Sequence, residues 1–287
     1  MTTIAADTET SAAATPSAPT VPAKVYRHRL ATRLWHWLNA VTIIVMLMSG
    51  LMIFNAHPRL YWGEYGANFD HAWLQIGAVG ERGMLRIGET MIDTTGWLGR
   101  WTGPDGAPVN RAFPHWATIP SHYSLADARH WHLFFALVLG FGLLAYMIAS
   151  LVNRHFRHDI ALGRAEVAPR HLWQDIKDHA RLRFPTGEAA LRYNPIQKIT
   201  YSLVIFGLIP LLILTGLTMS PGMNAAWGWL VDLFGGRQSA RSLHFIAATL
   251  IALFIIVHLV LVVLSGPINE IRSMITGWFR VPQEKGR

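Results

Sequence analysis

The chain has no cysteine among its 287 residues. Disulfides, iron–sulfur clusters, thiolate-ligated haem and covalently attached c-type haem are therefore excluded. Charge is scarce too. Asp, Glu, Lys and Arg make up 15% of the residues and hydrophobic residues 52%, whereas soluble domains run near a quarter charged. Too little charge remains to cover a soluble globule, so the composition points to a membrane protein. An apolar secretory signal is also missing. Residues 1–24, rich in Ala, Thr, Ser and Pro, read as a disordered arm. The chain is rich in histidine (14) and tryptophan (12), and its formal net charge is +8. In a membrane protein such an excess reports cytoplasmic loops rather than a nucleic-acid partner.

Four stretches hold no Asp, Glu, Lys or Arg: between Arg33 and Arg59, Arg129 and Arg154, Lys198 and Asp232, and Arg241 and Glu270. Each holds the roughly 20 apolar residues that cross a bilayer. Backbone groups in hydrocarbon must be satisfied within the segment, so these are helices. The expected fold is all-α, an integral membrane four-helix bundle, with helices at about 34–55, 130–152, 199–219 and 242–265. Pro210 should kink the third helix, and the stretch from Pro221 to Phe234 should lie at the interface. A long outer, periplasmic loop spans 56–129, a cytoplasmic loop 153–198, and a tail 281–287. Within the outer loop, the sequence predicts a short hairpin turning at Gly88 and Gly96. So large a loop on one side points to a docking surface.

Charge sets the orientation. The arm, the loop 153–198 and the tail from Gly266 hold 17 of the 25 Lys and Arg but 9 of the 17 acids. The opposite side holds 8 of each. The basic side, with both termini, should face the cytoplasm.

The informative motif is R-x-x-H, at Arg33–His36, Arg129–His132 and Arg241–His244, and His258 follows His244 by 14 residues. Two heptads place both imidazoles on nearly one helix face, about 21 Å apart. Helix direction then sorts the four histidines by depth: His36 with His258 on the inner side, His132 with His244 on the outer side. Each pair can offer two axial nitrogens to one haem iron. His130 competes with His132, and the shared offset favours His132. The arginines one turn earlier, Arg33, Arg129 and Arg241, can meet haem propionates or serve as snorkelling flanks. Gly50, Gly140, Gly142, Gly207 and Gly216 permit close approach within the spans. The loop histidines His57, His71, His115, His122, His155, His158, His171 and His179 are expected to be solvated, and His28 lies before the first helix in the basic arm.

The segments RLWHWLNA, RHWHLFFA, NPIQKITY and RSLHFIAATLIALFIIVH together resemble the cytochrome b561, nickel-hydrogenase cytochrome b and formate dehydrogenase gamma superfamily. That resemblance covers about 25–280. It implies two b haems with bis-histidine ligation, a place in the bacterial inner membrane, exchange with membrane quinone or quinol, and a soluble periplasmic redox subunit. It also implies a quinone pocket near the start of the third helix, where Asn194, Gln197, Lys198 and Tyr201 stand. Asn194 with Pro195 can equally cap that helix. LYWGEYG in the outer loop resembles members paired with a molybdopterin oxidoreductase. Electron transfer as a subunit is the leading expectation. A self-contained quinol-driven reductase and a haem-free transporter or sensor are the alternatives.

Overall fold

The computed structural model describes residues 23–154, 156, 161–163, 166, 168–181, 187, 191 and 193–282. Most of the expected disordered arm, the last five residues of the tail, His155, His158 and the side chains of His171 and His179 lie outside the described residues.

A short strand β1 (Lys24–Tyr26) leads into helix α1 (Leu30–Phe54). The loop that follows carries strands β2 (Arg59–Leu60), β3 (Leu74–Val79), β4 (Arg82–Ile87), β5 (Thr90–Asp93), β6 (Gly99–Thr102) and β7 (Pro108–Arg111). Helix α2 (Leu125–Val152) returns, and the surface helix α3 (Pro169–Ala180) precedes the third span. That span is composite: α4 (Pro195–Ser202), a π-helical stretch Leu203–Leu208, and α5 (Ile209–Met219). Short helices α6 (Pro221–Ala226) and α7 (Gly228–Leu233) lead to α8 (Arg237–Ser265), α9 (Pro267–Thr276) and β8 (Trp278–Arg280).

The four spans have mean hydropathies of 2.1, 2.3, 2.3 and 3.0, and in α8 only 11% of the most apolar window is buried. So apolar and so exposed a set of helices is built for lipid, and the chain is a multi-pass membrane protein. The helices begin earlier than hydropathy indicated, at Leu30, Leu125, Pro195 and Arg237. Hydropathy stops at the first charge, but a helix continues through its charged flank, so the R-x-x-H motifs sit inside helices rather than at their starts. Pro210 lies just beyond the π-helical stretch. Proline leaves a carbonyl in the preceding turn without its donor, and a widened turn is one way a helix absorbs that.

Helix α1 packs chiefly on α2, and α5 on α8. Ile43, Leu139, Leu143, Ile209 and Ile251 from all four spans form the central core. The strap end of the bundle holds both described termini, where β1 pairs antiparallel with β8 from Lys24↔Arg280 to Tyr26↔Trp278. Trp37 donates its indole N–H to the Met274 carbonyl at 3.1 Å, and Arg33 donates to Ile275.

The opposite end carries a four-stranded antiparallel sheet, β2-β3-β4-β5, with β6-β7 beside it. The expected hairpin is real but is only part of this sheet. Gly88 turns β4 into β5 with φ 55°, while Gly96 lies in the bend before β6. Leu74 and Ile76 alternate inward onto Phe54, with Phe245 of α8 packed alongside. The first turns of α8 are stitched to the loop. Ser239 Oγ accepts from the Gly63 N–H at 2.7 Å, and Ser242 Oγ donates to Tyr61 O at 2.6 Å while accepting from Trp73 Nε1 at 3.0 Å. Gly236, at φ 104°, lies so close to Gly63 that a Cβ would sit 2.5 Å from its carbonyl carbon.

The buried Ser242 hydroxyl satisfies two groups that nothing else on that helix turn reaches. Ser242→Ala should therefore cost about 1–3 kcal/mol, read as a lower melting temperature of the detergent-solubilised protein. An unchanged melting temperature would show that the sheet holds without this stitch.

Candidate functional site

The spans bring four histidines into two pairs. His36 of α1 faces His258 of α8 with ring centres 6.3 Å apart and ring planes at 61°. His132 of α2 faces His244 of α8, also at 6.3 Å, with planes at 57°. His258 stands two heptads beyond His244 on one helix, which separates the pairs by about 21 Å along the axis. Ile251 lies midway between them in the central core, so an apolar layer divides two half-buried polar sites. His130, by contrast, is exposed. Among the described residues no three or more His, Asp or Glu side chains gather as a metal cluster.

The sheet-end pair is braced at atomic detail. Ser49 of α1 lies 2.6 Å from the Val45 carbonyl and 3.0 Å from His132 Nδ1. Thr215 of α5 lies 2.6 Å from the Leu211 carbonyl and 3.0 Å from His244 Nδ1. The next residue is glycine in both cases. A Cβ on Gly50 would sit 3.3 Å from His132 Cε1, and one on Gly216 would sit 3.5 Å from His244 Cε1. Sequence reasoning singled out the glycines and missed the hydroxyls, though Ser49-Gly50 and Thr215-Gly216 repeat at matching places in the first and third spans. The other span glycines have different neighbours: Trp35 at Gly142, Leu203 at Gly207, and open space at Gly140. At the strap end His36 Nδ1 is buried without a hydrogen-bond partner. The His36 ring meets Trp37 edge-on, and His258 stacks with Phe254.

The arginines of the motif go separate ways. Arg241 donates to the Arg59 carbonyl at 3.1 Å and to the His57 carbonyl, and its guanidinium lies over the Phe54 ring. It clamps α8 to the sheet. Arg33 reaches the carboxyl end of α9, with its Nε buried and unpartnered. Arg129 is exposed. Two loop histidines expected to be solvated are not: His57, and His115, which is half-buried against Trp101 with its Nδ1 buried. His28 is 7% exposed. His57 is half-buried against Tyr61, and burial, then the Arg241 and Arg59 guanidiniums, hold its imidazole below the usual range.

The residues at the start of the third span are largely occupied with one another. Asn194 Oδ1 accepts from the Gln197 N–H at 2.9 Å, and Gln197 Oε1 accepts from the Asn194 N–H at 3.3 Å, a reciprocal capping box. Lys198 Nζ reaches both carboxylate oxygens of Glu166, at 2.9 and 3.0 Å. Tyr201 meets Tyr193 edge-on at 5.6 Å. Around them are groups that sequence reasoning did not name. Arg27 lies over the rings of Tyr193 and Phe279, and burial raises the Glu270 carboxyl above its usual range against the pull of Arg27.

A family model described as prokaryotic cytochrome b561 matches residues 27–277. The probable Ni/Fe-hydrogenase B-type cytochrome subunit of Cupriavidus necator is 23% identical over 266 residues, covering 88% of this chain and 86% of its own. The putative cytochrome YdhU of Escherichia coli is 24% identical over 259 residues, 90% of this chain and 75% of its own. The putative protein-methionine-sulfoxide reductase subunit YedZ1 of Azospira oryzae is 23% identical over 237 residues, 81% and 87% respectively. No solved structure matches.

The residues present fit a haem. His36 with His258, and His132 with His244, would hold such a group, each pair leaving 6.3 Å between ring centres. A bound haem would supply one-electron exchange there, and the glycines beside His132 and His244 keep the rings free to sit against the backbone.

A side chain at Gly50 should push the His132 ring out of place. Gly50→Val should lower stability by about 1–3 kcal/mol as overpacking does, whereas Gly140→Val, with nothing within 4 Å of its Cβ, should not. Thermal unfolding of both variants checks the contrast, and equal effects would mean that the ring has room to give.

Proposed function

We propose, since the chain belongs to the prokaryotic cytochrome b561 family, that it is a transmembrane electron-transfer subunit with two b haems, one held by His36 and His258 and one by His132 and His244. The carrying observation is the duplication: two histidine pairs with the same 6.3 Å ring separation at two depths of one bundle. When bound, a b haem supplies reversible one-electron exchange. The chain itself supplies ligation, a fixed spacing, and a core of Ile43, Leu139, Leu143, Ile209 and Ile251 that keeps water from between the sites.

Membrane quinone is the proposed exchange partner at the strap end, the basic and hence cytoplasmic side. Quinone reduction and oxidation require hydrogen bonds to two carbonyls and a route for protons. Tyr201 offers a hydroxyl inside the span, and Glu270 offers a carboxyl more ready than usual to keep a proton. Asn194, Gln197 and Lys198 shape the entrance through the capping box and the Glu166 ion pair, and contact quinone less directly than Tyr201. Arg33, with an unpartnered buried Nε near His36, is the best placed of the three arginines to meet a propionate. Arg241 is already engaged by backbone carbonyls.

At the other, periplasmic, end the connections around the sheet expose Tyr65 (83%), Trp97 (72%) and Trp116 (64%), and α7 exposes Trp229 (64%). Exposed aromatic groups on connections held by an ordered sheet suit a protein partner. Several relatives carry names that make them subunits of a hydrogenase or a reductase, and a soluble redox subunit, of which a molybdopterin oxidoreductase is one kind, is the proposed occupant.

Pyridine haemochrome of the purified chain should give two haems, extractable by acid acetone. His36→Ala and His258→Ala should each abolish one redox component, and His132→Ala and His244→Ala the other. Crosswise loss would overturn the pairing. For the quinone end, Tyr201→Phe should slow quinol-dependent reduction about tenfold, below the roughly 100-fold or more that a positioned acid–base group contributes, with dithionite still reducing both components. A wild-type quinol rate would move the pocket elsewhere.

A further inference from the structure

Ser49 and Thr215 are both wholly buried, in spans where hydroxyls have few partners. Each has one proton to give, and for each the nearest acceptor is a carbonyl one turn earlier, Val45 or Leu211, at 2.6 Å. Two oxygens that close need a proton between them, so the hydroxyl hydrogen is committed there. What remains on the hydroxyl oxygen is a lone pair, and the atom facing it at 3.0 Å is Nδ1 of His132 or His244. That contact is a hydrogen bond only if Nδ1 carries the hydrogen. A neutral imidazole protonated at Nδ1 has its lone pair on Nε2.

We propose that Ser49 and Thr215 are positioning residues that hold His132 and His244 in the Nδ1–H tautomer, leaving both Nε2 lone pairs free for iron and making the sheet-end pair a more strongly donating ligand set than the strap-end pair. The inference rests on the haem-binding reading above and goes beyond it. It assigns two residues that touch no iron, and it separates the two sites by the way their ligands are held. The device occurs twice. In α1 and in α5 a hydroxyl residue followed by glycine faces a histidine on the antiparallel partner helix, α2 or α8. The glycine lets the ring lie against the helix while the hydroxyl takes the ring hydrogen alongside a backbone carbonyl, Met46 for His132 and Leu212 for His244. At the strap end His36 Nδ1 is buried with no such acceptor.

The expected direction follows from the bond. An acceptor on Nδ1–H makes the imidazole a more basic ligand, which favours ferric over ferrous iron and lowers the midpoint potential of that site. Removing the acceptor should raise it.

The test is a redox titration of the purified full-length chain, with low-spin ferric electron paramagnetic resonance spectra of the same samples. Ser49→Ala and Thr215→Val should each shift one component to higher potential and alter its ferric signal. That component should be the one abolished by His132→Ala or His244→Ala, and the other should stay unchanged. The double variant should shift it further, while Ser49→Thr and Thr215→Ser, which keep the hydroxyl, should return it towards wild type. Loss of the haem in Ser49→Ala with retention in Ser49→Thr supports the proposal, and loss in both overturns it, because packing rather than the hydroxyl is then at fault. Two components with unchanged potentials and spectra in Ser49→Ala and Thr215→Val also overturn it, as does a shift confined to the strap-end component. A wild-type chain that binds no haem would instead defeat the reading on which the proposal rests, so the two failures are distinct.

Discussion

Hydrocarbon offers a polar atom no partner, and the rest of this molecule is arranged around that constraint. The backbone answers it with helices. Side-chain groups must answer it one at a time, by finding a carbonyl, a hydroxyl or a ligand. Ser49 and Thr215 do so by turning back to their own helices, which in turn provides for His132 and His244. Trp37 and Arg33 do so at the opposite end by donating to carbonyls at the close of α9. The two imidazole pairs face one another across the bundle at the same ring separation.

The two ends of the bundle solve different problems. At the sheet end, α8 is bound to the intervening loop by Ser239, Arg241 and Ser242, each meeting a main-chain group of the segment between His57 and Gly63. The helix that carries two of the four histidines is thus fixed in rotation by the same structure that presents the exposed aromatic face. At the strap end, Asn269 bonds the main chain of Arg280 through both its amide nitrogen and its oxygen. This holds β8 against the bundle and, through β1, the chain entering α1.

The spans were legible because lipid as solvent leaves long runs without charge, and the pairing of histidines was legible from helix direction and the His244–His258 spacing. Helix starts were not, since Arg33, Arg129 and Arg241 lie within helices that outrun the hydrocarbon. The sheet was half visible: β4 and β5 around Gly88 followed from turn chemistry, whereas β3, with alternation only at Leu74 and Ile76, is too short and too mixed to stand out. Asn194 and Gln197 illustrate a different limit. One pattern of residues serves a cap and a polar pocket equally, and only the fold reveals that each side chain is bonded to the other's backbone. Ser49 and Thr215 escaped notice because a lone hydroxyl in a span reads as packing until its neighbour across the bundle is known.

The pairing of β1 with β8 has a consequence for how the molecule is made. Lys24–Tyr26 leave the ribosome before any span, and their partners Trp278–Arg280 leave after all four. The first strand must therefore wait, unpaired, while every helix is inserted and turned. Its closure reports that all four spans have been made, so a chain stalled or cut before Trp278 would leave Arg27 and the approach to Tyr201 unframed. The strap end is thus framed only after the fourth span has been made.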